Sequence, residues 1–141
     1  MKSLLIALVL LPLMSFRHPE TKLVLTVSNL DKIKGKLYIG WYKSEEDFRK
    51  PDKAVYQKVV EVGEKDAVDI LFENVAPGTY AVALFLDKNG NGKMDTNMLG
   101  IPKEKYGFSN NKYPLTRAAT FKESAFTVGG KEQSISIKLK G

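Results

Sequence analysis

A regular alternation of apolar and polar residues is the feature of this chain that most restricts its fold. Near the C-terminus, Ile135, Ile137 and Leu139 alternate with serine and lysine residues. The same period of two recurs in four earlier stretches, at 22–27, 37–42, 68–72 and 80–86. Because successive side chains of a β-strand point to opposite faces, each stretch predicts a strand with one buried and one exposed face.

Turn-forming residues separate these stretches at the spacing expected of antiparallel strands, at 31–35, 63–66, 76–78 and 129–130. Pro77 presets a negative φ and Gly78 tolerates a positive φ, which predicts a type II turn. Three less regular elements are also expected, a strand at 55–62 and short helical turns at 44–50 and 116–123. About seven strands predict an all-β fold, an antiparallel sandwich of two sheets of the immunoglobulin-like or prealbumin-like type.

The N-terminus has the pattern of a secretory signal peptide. Lys2 precedes an apolar run at 4–14, which is shorter than the roughly 20 residues of a membrane-spanning helix. Ser15 is small enough for the last signal residue, so we expect a signal peptide at 1–15 and a β-sandwich domain at 16–141. The sequence thus predicts a soluble protein, secreted or periplasmic, without a transmembrane segment after processing. The alternative is that the run is an ordinary apolar element of the domain.

Composition excludes several classes of chemistry. The 141 residues include no cysteine and a single histidine, His18, so disulfides, thiol nucleophiles, zinc–thiolate sites and catalytic triads are excluded. The net charge of +6 is spread along the chain, whereas nucleic-acid binding needs a concentrated basic stripe. The acidic cluster Glu45, Glu46 and Asp47 is more typical of a solvated loop than of a glycosidase pair. We therefore expect no enzyme activity and no nucleic-acid partner.

Aromatic residues of the stretch 37–42 allow two interpretations. Tyr38, Trp41 and Tyr42 form a sugar-stacking platform if their rings are exposed. The favoured alternative is that Trp41 packs in the core and the two tyrosines pack across strands.

One long stretch, from 87 to about 117, lacks alternation and is rich in glycine, asparagine and proline. Loops this long in a compact domain are usually functional or disordered. Its apolar and aromatic residues predict an ordered loop packed on the sandwich, and they are Met98, Leu99, Ile101, Tyr106, Phe108 and Tyr113. We expect function to reside in this loop, where the three aromatic residues line a ligand site or simply fix the loop.

The start of this loop has the spacing of calcium ligands. Asp87, Asn89, Asn91 and Asp95 occupy alternate positions, and the main-chain carbonyl of Lys93 lies between them. Calcium binds six to eight oxygens of these kinds. Calcium is the one cofactor that the sequence suggests.

Two observations weaken this calcium prediction. Met98 stands where an EF-hand has a bidentate glutamate, so a site here would be weak unless Glu104 or Glu123 joins it. The run Asn-Gly-Asn-Gly is also a strong turn signal without any metal. The loop is therefore either weakly ordered by calcium or a turn alone.

The same residues carry a family resemblance. The run Asp-x-Asn-Gly-Asn-Gly-Lys-x-Asp-Thr-Asn-x-Leu-Gly-Ile-Pro at 87–102, followed by Tyr-Gly-Phe-Ser-Asn-Asn at 106–111, closely resembles the exported DUF2141 family. The resemblance implies a secreted, non-catalytic β-sandwich of unknown activity. A common form of the family has histidine before the acidic loop. This chain has Leu86, so no metal or acid–base role is carried over to that position.

A more distant resemblance is to the collagen-binding-protein B-type repeats of bacterial surface proteins. It rests on a Pro-Gly-x-Tyr turn and on the acidic loop, and it implies calcium ligands at the same four positions, with Met98 replacing the glutamate. The predicted function is an exported binding or structural module for an unknown small molecule, glycan or envelope protein. The alternatives are a carbohydrate-directed enzyme that uses Glu and Asp, and a purely structural envelope protein.

Overall fold

The computed structural model describes Ser15 and residues 20–141. Residues 1–14 of the expected signal peptide, and His18, lie outside the described part. Eight strands and one short α-helix follow in chain order: β1 (Thr21–Ser28), β2 (Gly35–Tyr42), β3 (Tyr56–Val62), β4 (Ala67–Val75), β5 (Gly78–Asp87), β6 (Tyr106–Phe108), α1 (Phe121–Ser124), β7 (Phe126–Val128) and β8 (Gln133–Lys138). Two 3-10 helical turns lie between them, at Pro51–Lys53 and Ser109–Asn111. No helix of this part is long and apolar enough to cross a bilayer.

The strands form two sheets, which confirms the predicted all-β sandwich. One sheet has three strands in the order β4-β1-β8, and the other has the order β3-β2-β5-β6, with β7 pairing with the start of β5. The fold has eight strands, whereas the sequence predicts about seven. The difference arises because β6 and β7 are only three residues long. Such short strands leave too little alternation to be recognised in the sequence.

The prediction of a wholly antiparallel sandwich is wrong at one pair. β8 runs parallel to β1, with Leu25 opposite Ile135 and Val27 opposite Ile137. Between these strands the chain passes through every strand of the other sheet. A parallel neighbour needs such a crossover, whereas a tight hairpin always produces an antiparallel one.

The interior is built from the residues that the alternation predicts. Fully buried side chains come from both sheets, among them Leu23, Leu25, Leu37, Trp41, Tyr80, Leu86 and Ile137. The ring of Trp41 lies 4.9 Å from that of Phe72 and 5.6 Å from that of Tyr80. Trp41 therefore packs in the core as favoured, and the sugar-stacking platform is wrong for this residue.

A second apolar cluster covers the outer face of the five-stranded sheet. Its buried members are Tyr42, Phe48, Ala81, Phe108 and Ala119. Because residues 44–54 and 109–124 lie over this face, the part of the larger sheet around β5 and β6 is apolar on both sides. The expected helical turn at 44–50 is a run of hydrogen-bonded turns instead, whereas the turn expected at 116–123 appears as α1.

The predicted type II turn at Pro77 is wrong. Gly78 already belongs to β5, and the nearby residue with a positive φ is Asn74, at 59°. Asn74 lies where the register of β4 against β1 shifts, between the pairs Thr21–Val75 and Leu23–Phe72. Two residues of β1 thus span three of β4, which is a β-bulge, and asparagine tolerates the left-handed backbone there.

The C-terminal residues join the two sheets at one side of the sandwich. The Leu139 amide donates to the Ser28 carbonyl at 3.0 Å in the three-stranded sheet. The next residue, Lys140, exchanges two backbone hydrogen bonds with Tyr106 of β6, at 2.8 and 2.9 Å. This closure holds β6, and with it the end of the long loop, against the body.

Candidate functional site

The candidate site is the loop from Asp87, at the end of β5, to Lys105, before β6, and it begins with a buried carboxylate. Asp87 is only 1% exposed. Its Oδ1 accepts from the Gly90 amide and its Oδ2 accepts from the Gly92 amide, both at 2.9 Å. Gly92 has a φ of +72°, which places its amide in this position, and the ring hydroxyl of Tyr38 lies close beneath it. The start of the loop is thus folded around one aspartate.

A second buried carboxylate closes the base of the loop. Glu104 is 3% exposed, and its two oxygens accept from the amides of Lys88 at 2.9 Å and of Asp95 at 3.2 Å. Hydrogen bonds from N–H donors compensate the loss of water around both buried carboxylates. Glu104 therefore does fold into the loop.

The remaining predicted calcium ligands bind one another. The Asp95 carboxylate accepts from the side-chain amides of Asn89 and Asn91, the latter at 2.8 Å. The Asn89 Oδ1 accepts from the Asn91 amide at 3.2 Å, and the Asn91 Oδ1 accepts from the Lys93 amide at 2.9 Å. These are Asx turns, in which a side-chain oxygen takes the place of a backbone acceptor.

This arrangement explains the order of the loop without a cation. Among the residues that the structure describes, no three acidic or histidine side chains form a group that could hold a metal. A cation on Asp95 would have to displace the two side-chain amide groups that now donate to it. Calcium binding by Asp87, Asn89, Asn91, Lys93 and Asp95 stays a prediction.

The far end of the loop is a small, self-bonded hairpin, which we call the apolar tip and define as residues 96–102. Thr96 and Pro102 form an isolated antiparallel bridge. The Asn97 side-chain oxygen accepts from the amides of Leu99 at 2.9 Å and of Ile101 at 3.0 Å. The Asn97 amide donates to the Ile101 carbonyl, and the Gly100 amide donates to the Asn97 carbonyl, each at 2.9 Å.

Three neighbouring apolar side chains point from this tip into solvent. Met98, Leu99 and Ile101 have relative exposures of 104%, 84% and 55%. The expectation that they pack on the sandwich is wrong: the bonds of Asn97 and the bridge close the tip on itself, and its three apolar side chains stay exposed. Hydrophobicity alone gave no sign of this. The available signal was Asn97 and Gly100, which mark a turn around these apolar residues.

The three aromatic residues lie where the loop returns to the sheet. Tyr106 and Phe108 belong to β6 and face the outer cluster, where their ring centroids are 5.8 Å apart. The Tyr113 ring is 5.9 Å from that of Tyr106 and 6.3 Å from that of Phe108, and its hydroxyl donates to the Lys138 carbonyl. Burial raises the pKa of Tyr113 to about 12. These contacts hold the end of the loop against the sheet, and a ligand site lined by the three aromatic residues stays a prediction.

The loop carries exposed positive charge. Lys88, Lys93 and Lys103 are all exposed. Among the ion pairs of the described residues, Lys105–Asp31 involves the last residue of the loop, and Lys34–Glu64 and Arg117–Glu123 lie outside it. Since both buried carboxylates of the loop are bound to amides, the lysines dominate its accessible charge.

The acidic cluster at 45–47 has a structural contact. The Glu45 carboxylate accepts from the Phe121 amide at 2.7 Å, at the first residue of α1. The Ser44 hydroxyl in turn accepts from the Asp47 amide at 3.2 Å. Glu45 therefore ties the segment 44–50 to the helix that covers the same sheet.

Comparison with known proteins gives one match. Residues 25–136, from the middle of β1 to β8, match a family described as an uncharacterized protein conserved in bacteria, DUF2141. No curated protein and no solved structure matches the chain. The distant resemblance to collagen-binding-protein B-type and prealbumin-like repeats has no support from these comparisons and stays a prediction. Because the matched range includes six whole strands and the entire loop, the chain belongs to the DUF2141 family.

Proposed function

We propose that this protein is an exported, non-catalytic binding module that contacts its partner with the apolar tip. The observation that carries the proposal is the full exposure of Met98 and Leu99 beside the half-exposed Ile101 on an ordered turn. Contiguous apolar side chains on a soluble domain commonly mark an interaction site. Export is supported by the signal-peptide pattern of the first 15 residues.

The order of the loop supports binding without large rearrangement. Asp87, Glu104 and Asn97 each accept two backbone hydrogen bonds, so the tip has a defined conformation before contact. A preorganised surface loses little conformational entropy when it binds. Burial of one large apolar side chain contributes about 1.5–3 kcal/mol, so burial of these three side chains favours association.

The shape of the remaining surface favours a large partner. Two surface concavities of the described residues are shallow and open. One lies beside Lys34 and Lys88, and the other lies beside Tyr113 and Lys140. Sites for small molecules are usually enclosed and mostly apolar. A projecting tip suits contact with an envelope component better than capture of a small molecule or a glycan in a pocket.

Photo-crosslinking in living bacteria tests this function. The full chain is produced with benzoylphenylalanine in place of Leu99, and a control chain carries it in place of Val59, an exposed residue of β3. The proposal expects adducts with an envelope component at position 99 and few at position 59. Absence of adducts at position 99, or equal amounts at both positions, would overturn it and favour the purely structural alternative.

Weak calcium binding is a second candidate function of the same loop. It is supported by the oxygen-bearing side chains at alternate positions of the loop, Asp87, Asn89, Asn91 and Asp95. A cation there would order the loop rather than act in catalysis, because few charged ligands give weak binding. The alternative of a carbohydrate-directed enzyme has no such observation in its favour.

A further inference from the structure

We infer, on the basis of the proposed binding role of the tip, that its partner is the anionic surface of a phospholipid bilayer. In this arrangement Met98, Leu99 and Ile101 insert among the lipid headgroups and acyl chains, and the nearby lysines stay at the headgroup level. The association is shallow and reversible, since the inserted element is a single turn.

Most of the backbone of the tip is suited to a medium without water. Apolar surroundings require that N–H groups be bonded within the protein. The amides of Asn97, Leu99, Gly100 and Ile101 donate inside the tip and Pro102 has no amide hydrogen, so among the described residues only the amides of Thr96 and Met98 lack an acceptor in the tip. Two of these four donors are satisfied by one side chain, that of Asn97, which leaves the apolar side chains free to point outward.

The form of the tip also favours a bilayer. Its apolar side chains occupy the end of a projecting hairpin closed by the Thr96–Pro102 bridge. Peripheral elements insert about 5–10 Å into the boundary between headgroups and acyl chains, a depth that one turn can reach. A protein partner would instead need an apolar cleft shaped to receive the turn.

Charge complementarity specifies an anionic lipid. Residues 88–103 contain three lysines and one aspartate, a net charge of +2, and this aspartate, Asp95, is bonded to the amides of Asn89 and Asn91. Lys93 and Lys103 flank the tip on its two sides in the chain. Each basic residue near an anionic surface strengthens binding about fivefold, and the effect falls with salt.

Vesicle co-sedimentation tests the inference. The full chain is mixed with vesicles of phosphatidylglycerol and phosphatidylethanolamine, and separately with vesicles of phosphatidylcholine. We expect clear binding to the anionic vesicles, weaker binding to the neutral ones, and a decrease as salt is added. The apolar run at 4–14 is identical in every variant, so any contribution from it cancels in the comparison.

Two sets of substitutions separate insertion from charge. Met98→Ser, Leu99→Ser and Ile101→Ser in one chain should weaken binding to anionic vesicles at least about tenfold. The matched control replaces three exposed aliphatic residues outside the loop, Val55→Ser, Val59→Ser and Leu71→Ser, and should bind like the unchanged chain. Lys93→Gln with Lys103→Gln should weaken binding to anionic vesicles and leave binding to neutral vesicles unchanged. Thermal melts check that every variant is folded.

The outcomes distinguish this inference from the proposed function. Equal vesicle binding by the tip variant and the control variant overturns the inference. Equal binding of the unchanged chain to anionic and to neutral vesicles also overturns the inference. A protein adduct at position 99 in cells, without vesicle binding, overturns the lipid partner and leaves the binding role intact. Sedimentation velocity could also detect a dimer that the tip substitutions convert to monomer. That result overturns the inference of a lipid partner, because a second copy of the chain then covers the tip.

Discussion

Two polar side chains, those of Ser109 and Glu104, each join two irregular parts of this chain. The Ser109 hydroxyl accepts from the Val82 amide of β5 at 2.8 Å and donates to the Ser124 carbonyl. It thereby joins the central strand of the larger sheet to the end of α1. The Glu104 carboxylate, with one oxygen for each bond, likewise joins the two sides of the candidate loop.

Ser109→Ala should lower the free energy of unfolding by about 1–3 kcal/mol, because the buried Val82 amide loses its acceptor. Urea unfolding measures this change. Ser134→Ala, at an exposed position of β8, is the matched control and should change stability by less than about 0.5 kcal/mol. Equal stability of the two variants would contradict the role assigned to Ser109.

Glu123 should titrate well below an ordinary glutamate. Hydrogen bonds from Arg117, and then one from the Thr120 amide, lower its pKa from 4.5 to about 2. The folded state thus favours the charged form, and this stabilisation is present above about pH 4.5 and is lost as the pH falls toward 2. An NMR titration of the side-chain carboxyl measures the pKa.

The partner of Glu123 provides the control for this titration. Arg117→Gln should move the midpoint of Glu123 upward, because the two guanidinium bonds of 2.8 Å are lost. Lys22→Gln, at an exposed position of β1 in the other sheet, should leave it in place. A midpoint of Glu123 near 4.5 in the unchanged chain would refute the bonded geometry.

Among the elements, the short strand β6 depends on close packing against the opposite sheet. A Cβ atom on Gly107 would lie 2.5 Å from the Ile137 Cγ2 and 3.2 Å from the Leu139 Cδ2. No side chain larger than hydrogen fits there without displacing the core. β6 in turn fixes the end of the candidate loop.

Gly107→Ala should therefore destabilise the fold by about 1–3 kcal/mol through overpacking. Thermal or urea unfolding gives the value. Gly129→Ala is the matched control, because its added Cβ would meet nothing within 4 Å and its φ is not positive. Similar losses in both variants would show that the effect comes from glycine itself and not from the contact with Ile137.

The candidate loop is the element on which calcium would act. If it binds calcium, a concentration of about 100 times the dissociation constant should stabilise the domain by roughly 2.7 kcal/mol, measured as a melting shift relative to chelator. Asp95→Asn should remove the shift, whereas Asp66→Asn, at an exposed site outside the loop, should retain it. Equal melting of the unchanged chain in millimolar calcium and in chelator would leave the loop as a turn alone.

For the molecule as a whole, two apolar clusters share one sheet, and each contains a tyrosine that resists ionisation. Burial raises the pKa of Tyr80, in the sandwich core, and of Tyr113, in the outer cluster, to about 12. The neutral form is favoured in the folded state. The resulting stabilisation is complete below about pH 10 and is lost as the pH rises toward 12.

Unfolding free energy should accordingly decrease between pH 10 and 12, with tyrosinate absorbance increasing as the domain opens. Urea unfolding at several pH values measures the loss. Tyr113→Phe should reduce the pH dependence, because one of the two protected hydroxyls is absent. Full ionisation of all tyrosines near pH 10 in a still-folded domain would contradict the burial of Tyr80 and Tyr113.

Most strands and their inward faces were predictable, because period-two alternation is a local property of each segment. The inward positions of Leu37, Trp41, Leu86 and Ile137 follow from it directly. The turn character of Asn89 and Asn91 was likewise predictable from residue type. These features depend on neighbours within a few residues, so the linear sequence contains what is needed.

The sequence by itself thus determined an all-β sandwich and the position of one long loop. Only the tertiary structure decided that β8 lies parallel to β1, that Glu104 bonds to both sides of the loop, and that the tip points into solvent. Each of these depends on partners far apart in the chain, as when Lys140 pairs with Tyr106. Hydrophobicity marks a residue as suited to burial, but the folded chain must supply a surface to cover it. Around Met98 and Leu99 the described residues supply no such surface, and both side chains stay exposed.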